Sequence, residues 1–86
     1  MPTPFRDRTR LKFILPRAGA VGLDVYDVAG RRVASRDLGV REPGAQDVEF
    51  QARGMKAGLY FYRLTVKDPE RRTTLRTLSG RMLLVD

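Results

Sequence analysis

Short runs of alternating apolar and polar residues cover most of the chain, and none has the 3.6-residue period of an amphipathic helix. In residues 9–15, for example, Leu11, Phe13 and Leu15 are separated by single residues, a period of two that is typical of a strand with one buried face. Glycine, proline and polar turns separate the runs, and Ser79-Gly80 is expected to interrupt the last of them. The pattern predicts six or seven strands, at residues 9–15, 21–28, 31–38, 45–51, 59–67, 73–78 and 81–85.

The run at residues 59–67 gives the strongest strand signal. Tyr60, Tyr62, Leu64 and Val66 share one face of this run. The opposite face also carries apolar side chains, so we expect the strand to be partly covered on both sides. Strands of this kind are usually central in their sheet, which predicts the position of this one.

A tight connection joins the runs at residues 21–28 and 31–38. Gly30 is suited to this turn because glycine adopts a positive φ without steric cost. Asp27 is expected to cap the turn through its side chain. The two runs are therefore predicted to form a hairpin, with Val33 as the inward residue of its second strand.

The fold class that follows is all-β. Turn signals recur every ~8–12 residues and no helix is long enough to cross over, which is typical of an immunoglobulin-like antiparallel β-sandwich of about seven short strands. Residues 1–86 are expected to form a single domain. We expect Phe13, Val25, Tyr62 and Leu64 between the two sheets. Phe5, ahead of the first predicted strand, is expected to pack over one end of the sandwich.

The composition removes several kinds of chemistry. The chain has no cysteine and no histidine, so it has no disulfide, no thiolate zinc site, no cysteine nucleophile and no Ser-His-Asp arrangement. These absences favour a protein that is not an enzyme and has no cofactor. The sequence also has no apolar run near the ~18 residues that a membrane-spanning helix needs.

A net charge of +7 raises the question of an anionic partner. Contacts to acidic polysaccharide or nucleic acid are one interpretation of the arginine pairs at Arg31, Arg32, Arg71 and Arg72, since guanidinium groups bind anions in a bidentate manner. The alternative is that these arginines are solvated turn residues. The basic residues are spread along the chain, which favours the alternative and makes nucleic acid the less favoured partner.

Tyr60 and Tyr62 also allow two interpretations. They could form a stacking platform for bases or sugars. Alternatively, they pack in the core, with one hydroxyl returning to the backbone as in a tyrosine corner. An RNA-recognition fold would need two helices behind its sheet, and the pattern predicts none, so core packing is favoured. Asp24 and Asp27 would lie on opposite faces of a strand, so no metal site is predicted.

Two motifs, in this order and at this spacing, resemble a known family. They are the turn Tyr26-Asp27-Val28-Ala29-Gly30-Arg31 and the strand Gly58-Leu59-Tyr60-Phe61-Tyr62-Arg63-Leu64. The chain is similar to the small immunoglobulin-like domain at the C-terminus of many large bacterial secreted proteins. That family includes the type IX secretion sorting domains and a related domain of the flagellar hook-capping protein. The residues that match its pattern are Phe5, Pro16, Tyr26, Asp27, Gly30, Arg31, Gly44, Gly58, Tyr60, Tyr62 and Leu64.

The resemblance implies a non-catalytic module at the end of a larger exported protein. A sorting domain is read by the outer-membrane export machinery, and its cargo is secreted or attached to the cell surface. The resemblance to the hook-capping domain implies the alternative, a structural spacer or scaffold. The expected partners are the secretion machinery or other domains of the parent protein. The chain itself carries no secretory signal, so the signal is expected in the larger precursor.

Overall fold

The computed structural model describes residues 4–86, so the first three residues of the predicted domain lie outside the described part. Within that range the secondary structure consists of strands joined by turns, and the predicted all-β sandwich is confirmed. The strands are β1 (Pro4–Phe5), β2 (Arg8–Leu15), β3 (Gly19–Tyr26), β4 (Arg32–Arg41), β5 (Gly44–Gln51), β6 (Gly58–Lys67) and β7 (Thr74–Leu84).

The strands form one large and one small sheet. The large sheet has the order β1-β7-β6-β3-β4, and β2 pairs with β5 in the small one. β6 is the middle strand of five, as predicted from its two apolar faces. The β3–β4 hairpin is also confirmed. One pair departs from the antiparallel expectation, because β1 runs parallel to β7 and makes the large sheet mixed.

The core lies between the two sheets and follows the alternation along each strand. Val25 is 0% exposed and Leu64 is 2% exposed, as expected. Phe13 and Tyr62 are partly buried and pack against this core. Phe5 belongs to the core as well, and it occupies strand β1 beside the last residues of β7.

Two predictions about individual strands are wrong. Val33 is 42% exposed, whereas Ala34 lies opposite Val25 in the register and packs against the core. Ser79-Gly80 does not interrupt the chain, since β7 continues from Thr74 to Leu84 as one strand. β7 remains continuous at this point, where Gly80 lies opposite Tyr62 on β6 and the aromatic ring covers the glycine.

Candidate functional site

The β3–β4 turn is built around the carboxylate of Asp27. Its Oδ1 accepts hydrogen bonds from the backbone N–H groups of Ala29 and Arg31, both at 3.0 Å, and its Oδ2 accepts one from Arg31 Nε at 2.9 Å. Gly30 completes the turn with a φ of +85°, and its N–H donates to the Asp27 carbonyl at 3.0 Å. The predicted capping role of Asp27 is therefore confirmed.

Asp68 plays the same part at the β6–β7 turn. Its Oδ1 accepts from the N–H groups of Glu70 and Arg71, both at 2.9 Å, and Arg17 lies 3.3 Å from its Oδ2. The backbone N–H of Arg31 is the main cause that lowers the pKa of Asp27, and that of Arg71 is the main cause that lowers the pKa of Asp68. Both side chains therefore stabilise their turns as ionised carboxylates that accept hydrogen bonds from backbone N–H groups.

The four candidate anion-binding arginines do not form one site. Arg31 is paired with Asp27, and Arg32 lies 3.7 Å from Asp24. Both are next to the end of β3 at Tyr26, whereas Arg71 and Arg72 lie in the turn that leaves β6 at Lys67, which is level with the start of β3. The two pairs are therefore separated by about six residues of strand, or ~20 Å.

The tyrosines of β6 lie on its inward face, next to the core. Tyr60 is 8% exposed, and its hydroxyl donates to the Lys56 carbonyl at 2.5 Å, as in the predicted tyrosine corner. Tyr62 lies over Gly80. The outer face of the sheet instead carries a cross-strand pair of Tyr26 and Phe61, with Phe61 39% exposed and the Arg63 guanidinium 5.7 Å from the Tyr26 ring centroid.

The remaining residues of the family pattern have structural positions. Pro16 follows the end of β2, Gly44 begins β5, and Gly58 begins β6. Leu64 is at the centre of the core. All four therefore define where strands begin, end or pack.

The two sides of the sandwich, where the edges of the sheets meet, differ in what covers the core. On the side of β4 and β5, the Arg36 guanidinium lies 5.4 Å from the centroid of the buried Phe50 ring. Arg41 on β4 also reaches Gln46 on β5, with Nη1 and Oε1 3.5 Å apart. Charged side chains on aliphatic stems thus cover this side of the core.

On the side of β2 and β7, a cleft of about 760 Å³ opens between the sheets. Its lining includes apolar residues from three strands and the end of β2, and a smaller set of polar and charged ones. The apolar residues are Phe13, Ile14, Pro16, Ala45, Tyr62, Leu64 and Leu78, and the others are Lys12, Gln46, Asp47, Arg76 and Ser79. Ile14 beside it is 69% exposed. This cleft is the largest apolar concavity described in the sandwich and is the candidate functional site.

The cleft is bordered by the outer edge of β7. β1 pairs with β7 only at Leu83 and Leu84, and Val85 N–H donates to the Phe5 carbonyl at 2.8 Å. Leu83 and Val85 therefore point their backbone groups toward β1. Because these groups alternate along a strand, Thr77, Ser79 and Arg81 point theirs to the same side. Within residues 4–86, β1 pairs with none of these three residues.

Comparison with protein-family models, curated proteins and solved structures finds no match for the chain.

Sequence reasoning missed this site because it divided β7 at Ser79-Gly80. The alternation along this segment did indicate one continuous strand, because every second residue lies on the same face on both sides of the glycine. These residues are Leu78, Gly80, Met82 and Leu84. Within residues 4–86 there is no group of three or more potential metal-ligating residues. The same range contains no helix that is long and apolar enough to cross a membrane.

Proposed function

We propose that this chain is a non-catalytic recognition module that directs a larger bacterial exported protein through its secretion machinery or to the cell surface. The resemblance in sequence to type IX sorting domains supports the export role. The structural role of the matching residues adds to it, because the two most specific motifs form the Asp27 turn and the tyrosine corner of Tyr60.

The observation that carries the recognition part of the proposal is the unsealed side of the sandwich. The opposite side is covered by Arg36 and Arg41, whereas the β2–β7 side leaves an apolar cleft beside a strand edge. Exposed apolar concavities next to unpaired strands are typical of protein-binding sites. A module that is read by a protein partner needs such a surface.

Residues 1–86 fused behind a signal peptide and a reporter, in a host with a type IX system, provide the test. We expect the reporter on the cell surface, measured by protease accessibility and surface labelling of intact cells. The matched control is the same signal peptide and reporter without residues 1–86, which should stay in the periplasm. Circular dichroism of the purified fusion establishes that the sandwich is folded. A folded fusion retained in the periplasm would refute the export role and favour a spacer or scaffold.

A further inference from the structure

We propose that the outer edge of β7 binds an extended peptide strand of a partner protein, with apolar residues at alternate positions in its centre and acidic residues toward its ends. The strand would extend the large sheet and close the cleft between the sheets. This inference rests on the proposed function in one respect, since it names the partner of the same site. The binding itself can be tested without export.

Unpaired backbone groups on the outer edge of β7 favour a strand as the ligand. Thr77 and Ser79 direct their N–H and C=O groups away from β6, beyond the two residues of β7 that β1 covers. Within residues 4–86, β6 is the only strand that pairs with Thr77 and Ser79, and neither residue takes part in the turn and loop hydrogen bonds. A row of unpaired groups at a sheet edge is a template for an added strand. The register of the added strand on β7 is restricted, because only the odd-numbered residues of this segment direct their backbone N–H and C=O groups away from β6.

The cleft beside β7 can accept side chains of the added strand. An added strand beside β7 would direct every second side chain between the sheets, at a spacing of about 7 Å. There it would meet Phe13, Tyr62 and Leu78, which are only partly buried. A cleft of about 760 Å³ has room for two or three side chains of the size of valine or isoleucine. The shape therefore favours a peptide with apolar residues at alternate positions.

The charge of the cleft and of the chain favours a different partner over a second copy. Lys12 and Arg76 line the cleft, while its one carboxylate, Asp47, is paired with Arg10 at 3.2 Å. An antiparallel pairing of two β7 edges would bring Arg76 and Arg81 of both copies into one short interface, where their positive charges repel. A chain with a net charge of +7 also repels its own copy. Acidic residues near the ends of a partner strand would complement Arg76 at one end of this edge and the exposed Arg81 at the other.

The experiment uses a synthetic peptide, Asp-Glu-Val-Thr-Ile-Thr-Val-Glu-Asp, acetylated and amidated at its ends. It is titrated into the 15N-labelled domain, residues 1–86, with amide exchange as the main readout. In the free domain we expect fast exchange at Thr77 and Ser79 and slow exchange at Leu78 and Gly80, which bond to β6. In the complex, Thr77 and Ser79 should become protected while the other two stay unchanged.

Two matched variants test the hydrogen bonds. Ser79→Pro removes one outward N–H and leaves the bonds to β6 in place, because proline is tolerated where the N–H faces outward on an edge strand. It should lower the affinity about tenfold or more. Ser79→Ala keeps the N–H and should bind like the parent chain. Equal affinities for folded Ser79→Pro and Ser79→Ala would refute strand addition.

A peptide of opposite charge tests whether the acidic residues of the partner contribute to binding. A peptide with lysine at the four acidic positions should bind at least about tenfold more weakly, and Arg76→Glu should reduce that preference. No binding of the acidic peptide at about 1 mM, or protection confined to residues outside β7, would overturn the proposal. Concentration-dependent self-association that protects Thr77 and Ser79 and is abolished by Ser79→Pro would also overturn it, in favour of a second copy.

The same variants separate this inference from the export role. Surface delivery by the fusion, together with no peptide binding, would reject the partner and leave the export function standing. Peptide binding without surface delivery would reject the export function and leave the strand-binding site standing.

Discussion

Gly80 is the position at which the continuity of β7 depends on a missing side chain. A methyl group built at this residue would overlap the Cζ and Oη atoms of Tyr62 and would lie 2.6 Å from its Cε2. Real Cβ contacts of this length do not occur, so in Gly80→Ala the aromatic ring must move away. The backbone of β7 need not change, since Gly80 is not among the glycines with a positive φ.

The cost of this change follows from the packing of Tyr62. Its ring is partly buried against the core, and displacing a side chain in a packed interior typically costs about 1–3 kcal/mol. For a domain of this size, each kcal/mol lowers the melting temperature by about 4–8 °C. In a Tyr62→Leu background the obstructing ring atoms are absent. There Gly80→Ala should be neutral, or stabilising by up to about 1 kcal/mol, because alanine restricts the unfolded chain more than glycine.

The assay is a double-mutant cycle in urea, with the parent chain, both single variants and the double variant measured by circular dichroism. We expect a coupling free energy of at least about 1 kcal/mol between positions 62 and 80. Ser79→Ala, at the neighbouring exposed residue, is the control and should change stability by less than about 0.5 kcal/mol. A cost of Gly80→Ala that is the same in both backgrounds would show that the ring does not occupy this space.

Three further predictions concern the turns and the sealed side. Tyr60→Phe should lower the free energy of unfolding by about 1 kcal/mol, because the Lys56 carbonyl loses its donor; an unchanged urea midpoint would contradict this. Because the pKa of Asp27 is lowered in the folded state, its stabilising effect is complete above the unfolded value near 3.8 and is lost as the pH falls through the folded pKa. The free energy of unfolding of Asp27→Asn should therefore fall less steeply with acid than that of the parent chain. Parallel falls of the two free energies would exclude this role. Arg36→Ala should lower the free energy of unfolding by about 0.5–1 kcal/mol and increase the binding of an apolar dye at Phe50. Arg36→Met keeps an unbranched apolar side chain over Phe50 and should bind less dye than Arg36→Ala. Equal dye binding by the two variants would argue against a covering role of the Arg36 stem.

The features predicted correctly from the sequence depend on neighbouring residues. Alternation fixed the faces of β6, because period two is imposed by the backbone of any strand. The Asp27 turn was predictable because an aspartate side chain bonds to N–H groups only two and four residues ahead. The Tyr60 hydroxyl likewise reaches a carbonyl only four residues away. Local chemistry of this kind is written into short stretches of sequence.

The features missed by sequence reasoning depend on which strands become neighbours. Val33 lies within a good strand pattern, but the register with β3 turns Ala34 inward instead. The parallel pair of β1 and β7 joins residues almost eighty positions apart, and nothing in a two-residue strand specifies its partner. Gly80 looked like a break because the ring that covers it belongs to another strand. The cleft could not be predicted for the same reason, since its walls come from β2, β6 and β7.

The unequal sheets explain why one side of the sandwich is sealed and the other is open. Two strands cannot cover a sheet of five, so the core needs additional cover at both sides. At β4, Arg36 provides it by laying its stem and guanidinium over Phe50 while its charge remains in water. At β7, the inward row contains Gly80, which has no side chain, and Arg76, which faces the cleft without a described carboxylate partner. Burying that guanidinium without a partner would be unfavourable, so a group that covers this side and Arg76 together needs both apolar surface and negative charge. A strand of the kind proposed above would supply both, so under that proposal the partner completes the cover of the core on this side.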